Sequence, residues 1–102
     1  MNIIDWQPTS ETNCSSLQGY VATTHSHIVK CLGYPHFNGD KVTAEWAIEA
    51  IVKSDDGESE KVIFTIYDYK TGYTPMNEYN WHVGGYSKKA VEIAEWFLGL
   101  EK

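Results

Sequence analysis

Alternation of apolar and polar residues between positions 42 and 66 is the feature that most constrains the fold of this chain. Apolar side chains recur at every second position, at Val42, Ala44, Trp46, Ile48, Ala50 and Val52, and again at Val62, Phe64 and Ile66. A period of two predicts strands that each bury one face. The segment between them, residues 54–60 (SDDGESE), is charged and contains a glycine, which predicts a turn. The two strands therefore form a long antiparallel hairpin.

Shorter elements flank this hairpin on both sides. Strands are predicted over residues 17–23 (LQGYVAT) and 79–83 (YNWHV), the second closed by Gly84 and Gly85, and a helix over residues 25–32 with Thr23 or Thr24 as its cap. Ser87 is the predicted cap of a last helix, whose apolar residues recur at helical spacing as far as residue 98. We therefore predict an α+β fold with the order β-α-β-β-β-α, an antiparallel sheet and two helices packed on one face.

The length of 102 residues fits one domain with one core. Residues 1–16 contain a polar cluster without periodicity, although Ile3, Ile4 and Trp6 are apolar and could dock on the body of the protein. We expect this segment to form a loosely ordered arm ahead of a single α+β domain over residues 17–102. The first residues do not resemble a signal peptide, and the chain has no run of 18 apolar residues, so we expect a cytoplasmic protein without membrane contact. In that compartment Cys14 and Cys31 are expected to be free thiols.

The charge balance argues against long nucleic acids as partners. All eight basic residues are lysine, against fourteen Asp and Glu, and the formal net charge is −6. Arginine is the usual residue for bidentate recognition of phosphate and guanine, and non-specific affinity for nucleic acids depends on clustered positive charge. We therefore predict no binding to long DNA or RNA.

Residues 65–87 (TIYDYKTGYTPMNEYNWHVGGYS) concentrate aromatic side chains. Because Phe64 and Ile66 claim the core side of their strand, Tyr67 and Tyr69 are expected on the opposite side, where rings offer a stacking surface for a nucleobase or a partner protein. Tyrosine and tryptophan also pair well across strands, which is the structural alternative for each ring. The predicted ligand-binding residues are Tyr67, Tyr69, Tyr73, Trp81, His82, Gly84, Gly85, Tyr86, Ser87 and Lys88.

The segment GGYSKK, residues 84–89, joins a predicted strand to a predicted helix. Such a junction offers backbone N–H groups, the positive end of a helix dipole and two lysines, which together favour phosphate binding. The alternative is a tight turn that needs glycine for its backbone conformation. Lysine near a helix N-terminus opposes the dipole unless an anion is bound, which favours the phosphate interpretation.

The sequence patterns that would indicate catalysis or metal binding are weaker than those that indicate ligand binding. His25 and His27 have the spacing of a ligand pair on a strand, but on a helix they diverge, and the closely spaced Cys/His pairs typical of structural metal sites are missing. His82 with Asp68 or Glu45 is a candidate acid–base pair, although the spacing specifies neither a nucleophile nor an oxyanion donor. We predict no catalytic residue, metal or cofactor.

The order of short motifs resembles a family of small bacteriophage and prophage proteins. These motifs are GDKVTAEWAIE (39–49), DG (56–57), TIYDYK (65–70), TP (74–75) and EYNWHVGGYSKKAVEI (78–93). The resemblance implies a class, namely small acidic non-enzymatic proteins that act against host defences, either by sequestering a nucleotide-derived immune signal or by blocking a host protein.

The last predicted helix invites a second comparison. Its start, with Ser87, Lys88 and Lys89, is similar to the double-stranded-RNA-binding domain, whose last helix opens with a lysine cluster that contacts phosphates. This chain departs from that pattern at Glu92 and Glu95, and RNA binding is not predicted.

These observations together predict a protein that binds and sequesters a small nucleotide-like ligand without cleaving it. Because one thin domain rarely encloses a ligand, we expect a homo-oligomer with the site near a subunit boundary. Two alternatives stay open. One is a protein–protein inhibitor whose acidic surface mimics nucleic acid against a host defence enzyme, and the other is a small phosphodiesterase-like enzyme that uses its histidines.

Overall fold

The computed structural model describes residues 2–13, 15–38 and 41–100. Within these residues the elements are β1 (Asn2–Pro8), β2 (Ser16–Thr23), α1 (His25–Leu32), β3 (Glu45–Lys53), β4 (Ser59–Tyr67), β5 (Tyr79–Gly85) and α2 (Lys89–Leu98). The strands form one antiparallel sheet in the order β1-β3-β4-β5-β2. The predicted α+β class is confirmed, but the element order differs from the prediction by one additional strand, β1.

Strand β1 lies within the segment that was expected to be a loose arm. It pairs with β3, with Trp6 opposite Ala50, and the Thr9 N–H continues the pairing by donating to the Ala47 carbonyl at 3.0 Å. The Trp6 ring packs edge-on against Phe97 of α2, with 5.3 Å between ring centres. This pairing provides partners for the backbone groups on one side of β3, which would otherwise be an exposed sheet edge. The stabilisation comes from a long-range contact, which the local sequence does not indicate.

The predicted hairpin of β3 and β4 is confirmed, with a register that runs from Glu45 opposite Tyr67 to Lys53 opposite Ser59. Its charged turn is closed by the Ser54 N–H, which donates to the Glu58 carbonyl at 2.8 Å. Strand β3 begins at Glu45 and not at Val42. The reason is a competing partner, because the N–H groups that precede Glu45 donate to a buried carboxylate described below.

The core lies on the sheet surface formed by alternate residues of the three central strands, which we call the core face. Its fully buried side chains are Trp46, Ile48, Phe64, Ile66, Trp81 and Val83. Both helices contribute to the same cluster, through Ile28 and Leu32 of α1 and through Ala90, Ile93, Ala94 and Leu98 of α2. The remaining strand residues, among them Ala47, Thr65, Tyr67, His82 and Gly84, form the opposite face.

Two tryptophans connect the core to the ends of neighbouring elements. The rings of Trp46 and Trp81 pack edge-to-face at 5.6 Å. Their indole N–H groups donate to the carbonyls of Gly33 (2.8 Å) and Thr23 (3.1 Å), so neither buried donor is left unsatisfied. Both acceptors flank α1, which is thereby held against the sheet.

The predicted helix ends are confirmed for α1 and in part for α2. The Thr24 hydroxyl accepts from the His27 N–H at 3.2 Å, and Gly33 follows the last residue of α1. Gly99 ends α2 in the left-handed conformation. The start of α2 differs from the prediction, because Lys88 occupies the cap position without a side-chain cap bond, and the Ser87 hydroxyl accepts from the Lys89 N–H at 3.3 Å.

No helix in the described ranges has the length and apolar character needed to cross a lipid bilayer. Cys31 carries a free thiol in the described part of the chain, and the prediction for Cys14 lies outside the described residues.

Replacing Gly85 with alanine should destabilise the fold. A Cβ atom at this position would lie 2.5 Å from the Ala90 Cβ and 3.0 Å from the Ile63 carbonyl oxygen. We expect Gly85→Ala to lower the free energy of unfolding by about 2 kcal/mol or more, measured by urea denaturation. In an Ala90→Gly background the same change should cost less. An equal cost in both backgrounds would contradict a steric origin at Ala90.

Candidate ligand-binding site

A cleft of about 260 Å³ opens on the opposite face, where the central strands meet the segment before β2. It is lined by Thr12, Ser15, Ser16, Leu17, Val42, Glu45, Thr65, Tyr67, Tyr69 and Gly84. Hydroxyl groups and aromatic rings therefore face the same space, together with one carboxyl group. This combination suits a flat ligand with polar edges.

Gly84 shapes the floor of this cleft. A Cβ atom there would lie 2.6 Å from the Thr65 hydroxyl oxygen and 3.5 Å from a ring carbon of Tyr67. A Cβ atom would therefore displace the Thr65 hydroxyl of the neighbouring strand β4, whereas its contact with the Tyr67 ring would be an ordinary one. The requirement at this position is thus close approach of side chains, and not a special turn conformation.

An aromatic group stands beside the cleft around His82, and we call Tyr20, Tyr67, Tyr69 and His82 the His82 cluster. The His82 ring stacks on Tyr67 with 5.2 Å between centres and an interplanar angle of 26°. Tyr20 lies edge-on to the His82 ring at 5.0 Å, and the Tyr69 ring is tilted against it at 6.0 Å. The imidazole Nδ1 is buried and has no hydrogen-bond partner in the described part of the chain. Side chains of β2 and β4 and of the loop after β4 thus surround this one histidine of β5.

The electrostatics of this surface favour neutral side chains. Burial lowers the pKa of His82, against the opposing influence of the Asp68 carboxylate and the Tyr67 backbone, so the imidazole is neutral at pH 7. Burial also raises the pKa of Glu45 and of Tyr67, in the second case with a further contribution from the charge of Glu45. The rings of His82 and Tyr67 are therefore uncharged at pH 7.

Asp68 fixes the backbone around this surface. Its fully buried carboxylate accepts hydrogen bonds from the Thr43 N–H (2.8 Å), the Ala44 N–H (3.0 Å), and the hydroxyls of Thr43 and Thr71 (2.6 Å each). The Thr43 hydroxyl is also bonded to that of Thr74 at 2.7 Å. The loop after β4 is thereby tied to the segment that leads into β3. Since Tyr67 and Tyr69 flank Asp68 in sequence, the same bonds position both rings.

Four of the predicted ligand-binding residues come together. Tyr67, Tyr69 and Gly84 line the cleft, and His82 stacks on Tyr67 beside it. Trp81 and Gly85 belong to the core side instead, where Trp81 is fully buried and Gly85 contacts Ala90. The sequence placed Trp81 in a stacking surface together with Tyr67, and the structure does not bring them to one surface.

The other predicted residues are dispersed. Tyr73 is 77% exposed in the loop after β4. The Tyr86 hydroxyl donates to the Asn13 carbonyl at 2.6 Å, which holds residues 11–13 near the cleft. The Lys88 ammonium donates to the Gln18 carbonyl at 2.8 Å, and the Ser87 hydroxyl is used at the start of α2.

The phosphate site predicted at the GGYSKK segment depended on backbone N–H groups of a turn and on two lysine ammonium groups, and the structure uses these groups in other contacts. Gly84 and Gly85 are residues of β5, paired with β2 on one side and with β4 on the other, so they do not form a turn. Lys88 contacts the backbone of β2, and Lys89 forms an ion pair with Glu60. A different lysine adjoins the cleft, because the Lys70 ammonium lies 5.3 Å from the centre of the Tyr69 ring.

Sequence reasoning missed Tyr20 and Lys70. Alternation within residues 17–23 places Tyr20 on the side away from the buried Val21, and this signal was available. Pairing of β2 with β5, which brings Tyr20 opposite His82, was not readable from the sequence. Lys70 has a positive φ of 55°, a conformation that no local pattern indicated.

The Asp68 carboxylate should make stability depend on pH. Burial alone would raise its pKa, but the hydrogen bonds from Thr43, Thr71 and Ala44 hold the pKa of Asp68 below its ordinary value. A lowered pKa in the folded state stabilises the fold above the unfolded value near 3.9, and this contribution is lost as pH falls through that value toward the folded pKa.

Asp68→Asn tests this interpretation. The amide nitrogen cannot accept, so two or more donors lose their partner, and we expect a loss of about 2–4 kcal/mol at pH 7 by urea denaturation. The difference between variant and parent should shrink as the pH is lowered below 4. The control is Asp55→Asn in the exposed turn, which removes the same charge. A loss as large in the control would contradict the role of the buried carboxylate.

The side chains that the sequence offered as metal ligands are dispersed. Within residues 2–13, 15–38 and 41–100, no three His, Cys, Asp or Glu side chains come together as a metal site. His25 packs against Trp46 at 5.7 Å, whereas His27 donates to the Leu98 carbonyl at 2.6 Å, so the two point apart.

A comparison of the chain with family models, with curated proteins and with solved structures found no match.

Proposed function

We propose that this chain is a small phage-type anti-defence protein that binds and sequesters a nucleotide-derived host immune signal, without cleaving it, in the cytoplasm of the host cell. The observation that carries the proposal is the cleft on the opposite face, where Tyr67 and Tyr69 border a space also lined by hydroxyl groups. The motif order of the sequence supports the phage-type class.

Stacking supplies the affinity for the base in this proposal. Tyr69 is 42% exposed and borders the cleft, so part of its ring is accessible to a planar group. Base–aromatic stacking contributes about 1–3 kcal/mol per base. The hydroxyls of Thr12, Ser15 and Thr65 face the same space and suit the polar edge of a base.

Lys70 is the cation that we assign to the phosphate. Its ammonium is already over the Tyr69 ring, and its exposed, flexible side chain can turn toward the cleft without breaking an ion pair. The sequence assigned this role to Lys88, whose ammonium is bonded to the Gln18 carbonyl.

Sequestration is favoured over cleavage by the state of the candidate acid–base pair. The Asp68 carboxylate already accepts four hydrogen bonds, which hold its charge in a fixed role. Burial keeps His82 neutral, with Nδ1 inside the protein. A carboxylate that four donors already engage is suited to fix the backbone around the site and not to take up a proton from a ligand.

The cleft is small for a complete nucleotide signal. Ligand sites typically measure about 300–1,000 Å³, so 260 Å³ holds one base and its sugar and leaves the rest of the ligand outside. We therefore keep the proposal that the protein acts as a homo-oligomer, in which a second copy covers the exposed part of the ligand.

A capture-and-release experiment tests the proposed function. The purified protein is incubated with a panel of mononucleotides and cyclic dinucleotides, removed by filtration and then heated, and the released nucleotide is identified by mass spectrometry. We expect one nucleotide to be depleted and to be recovered unchanged. Recovery of an altered nucleotide would contradict binding without cleavage, and no depletion of any nucleotide in the panel would overturn the proposal.

Two pairs of variants locate the site for the captured nucleotide. Tyr69→Ala should weaken binding about 10- to 100-fold because a stacking face is lost, measured by titration calorimetry. Its control is Tyr34→Ala, since Tyr34 is 81% exposed and outside the cleft. Lys70→Ala should weaken binding and make it less sensitive to salt, whereas Lys88→Ala should not. The reverse result for the lysines would return the phosphate to the start of α2.

A further inference from the structure

The two edges of the sheet are protected to different degrees. Strand β1 carries Asp5 and Pro8, and its register shifts between Ile3 and Asp5. Charge, proline and irregular register are the features by which edge strands avoid pairing with another chain. Residues Gly19–Thr23 of β2, at the other edge, contain neither charge nor proline and keep a regular register with β5. This part of β2 is the less protected edge.

The first half of β2 is closed to pairing. Its register with β5 shifts between Leu17 and Gly19, which leaves Gln18 as the irregular residue. The Gln18 carbonyl accepts a hydrogen bond from the Lys88 ammonium at 2.8 Å. In the described part of the chain β2 pairs with β5 alone, so its second half has one row of backbone groups without a strand partner.

We propose that Gly19–Thr23 pair in antiparallel orientation with the same five residues of a second copy of this chain. A two-fold axis at Val21 would set Gly19 opposite Thr23 and Tyr20 opposite Ala22 of the second copy. Tyr20 is 53% exposed, and the small Ala22 leaves room beside its ring. The pairing would join the two sheets into one continuous sheet.

The charge distribution favours a second copy at this edge. A chain with a net charge of −6 repels its own copies wherever acidic surfaces meet. The acidic turn between β3 and β4 is separated from β2 by β4 and β5 in the sheet order, and Gly19–Thr23 bring no charge to the contact. Self-pairing at β2 therefore avoids the repulsion that opposes other arrangements.

This interface would lie next to the His82 cluster. The Tyr20 ring is 5.0 Å from His82, so a strand beside Tyr20 closes the β2 side of the cluster. The inference rests on the homo-oligomer part of the proposed function and gives that oligomer a specific contact.

The test measures mass in the absence of any nucleotide. Sedimentation velocity of the purified chain should show a mass that approaches twice 11.6 kDa as the concentration rises to roughly 100 µM, because a short strand pair buries little area and binds weakly. Ala22→Glu should weaken the dimer at least about tenfold, since it repeats a negative charge across the axis. The control is Asn80→Glu, which adds the same charge at the position directly paired with Ala22, one strand further inside the sheet.

Three outcomes would overturn the interface. The first is a parent chain that stays monomeric over the whole concentration range, which is the result expected if the β2 edge binds a different protein. The others are a dimer that Ala22→Glu leaves intact, and a dimer that Asn80→Glu weakens as much as Ala22→Glu does. Hydrogen exchange provides a check without substitutions, because the amides of Gly19–Thr23 should exchange more slowly at high protein concentration while those of β1 should not change. Since no nucleotide is present, a failed capture experiment and a failed interface remain distinguishable.

Discussion

The buried carboxylate of Asp68 is the interaction on which the geometry of the candidate site depends. It lies between two aromatic residues at the end of β4 and collects four hydrogen bonds from residues 43, 44 and 71. A buried carboxylate is costly unless it is fully hydrogen-bonded, so the surrounding loops have to close around it. That closure decides where β3 begins and directs Tyr67 and Tyr69 toward the opposite face. The site is therefore organised from beneath by a group that does not line it.

How far the sequence predicts this fold depends on whether the decisive contact is local. The hairpin of β3 and β4 was predictable because two alternating runs flank a charged turn, and the Thr24 cap was predictable because its partner is three residues away. Strand β1 was missed because Asp5, Gln7 and Pro8 conceal its apolar residues, and its partner β3 lies some forty residues along the chain. Edge strands tolerate such residues, so composition alone does not exclude them.

The candidate site could likewise be predicted from the sequence only in part. Tyr67, Tyr69, His82 and Gly84 were selected from one dense segment, and they do lie together. Trp81 and Gly85 were selected with them but belong to the core side, because neighbouring residues of β5 point in opposite directions. The two glycines looked like a turn, and the reason for them is instead the close approach of Thr65 on one side and Ala90 on the other. Such steric requirements depend on strand pairing and cannot be read from spacing.

The sheet order has a consequence for how the chain reaches its folded state. The first two strands in sequence occupy the two outer positions of the sheet, and their partners come much later, with Val21 opposite Trp81 and Trp6 opposite Ala50. The hairpin of β3 and β4 is the only strand pair in the described sheet that a short turn connects, so it is the natural starting point for assembly. Strands β1 and β2 then pair on either side of the growing sheet, and each pairing costs the entropy of closing the long segment that separates the strand from its partner. The residues of β2 therefore remain without a strand partner until β5 has been synthesised.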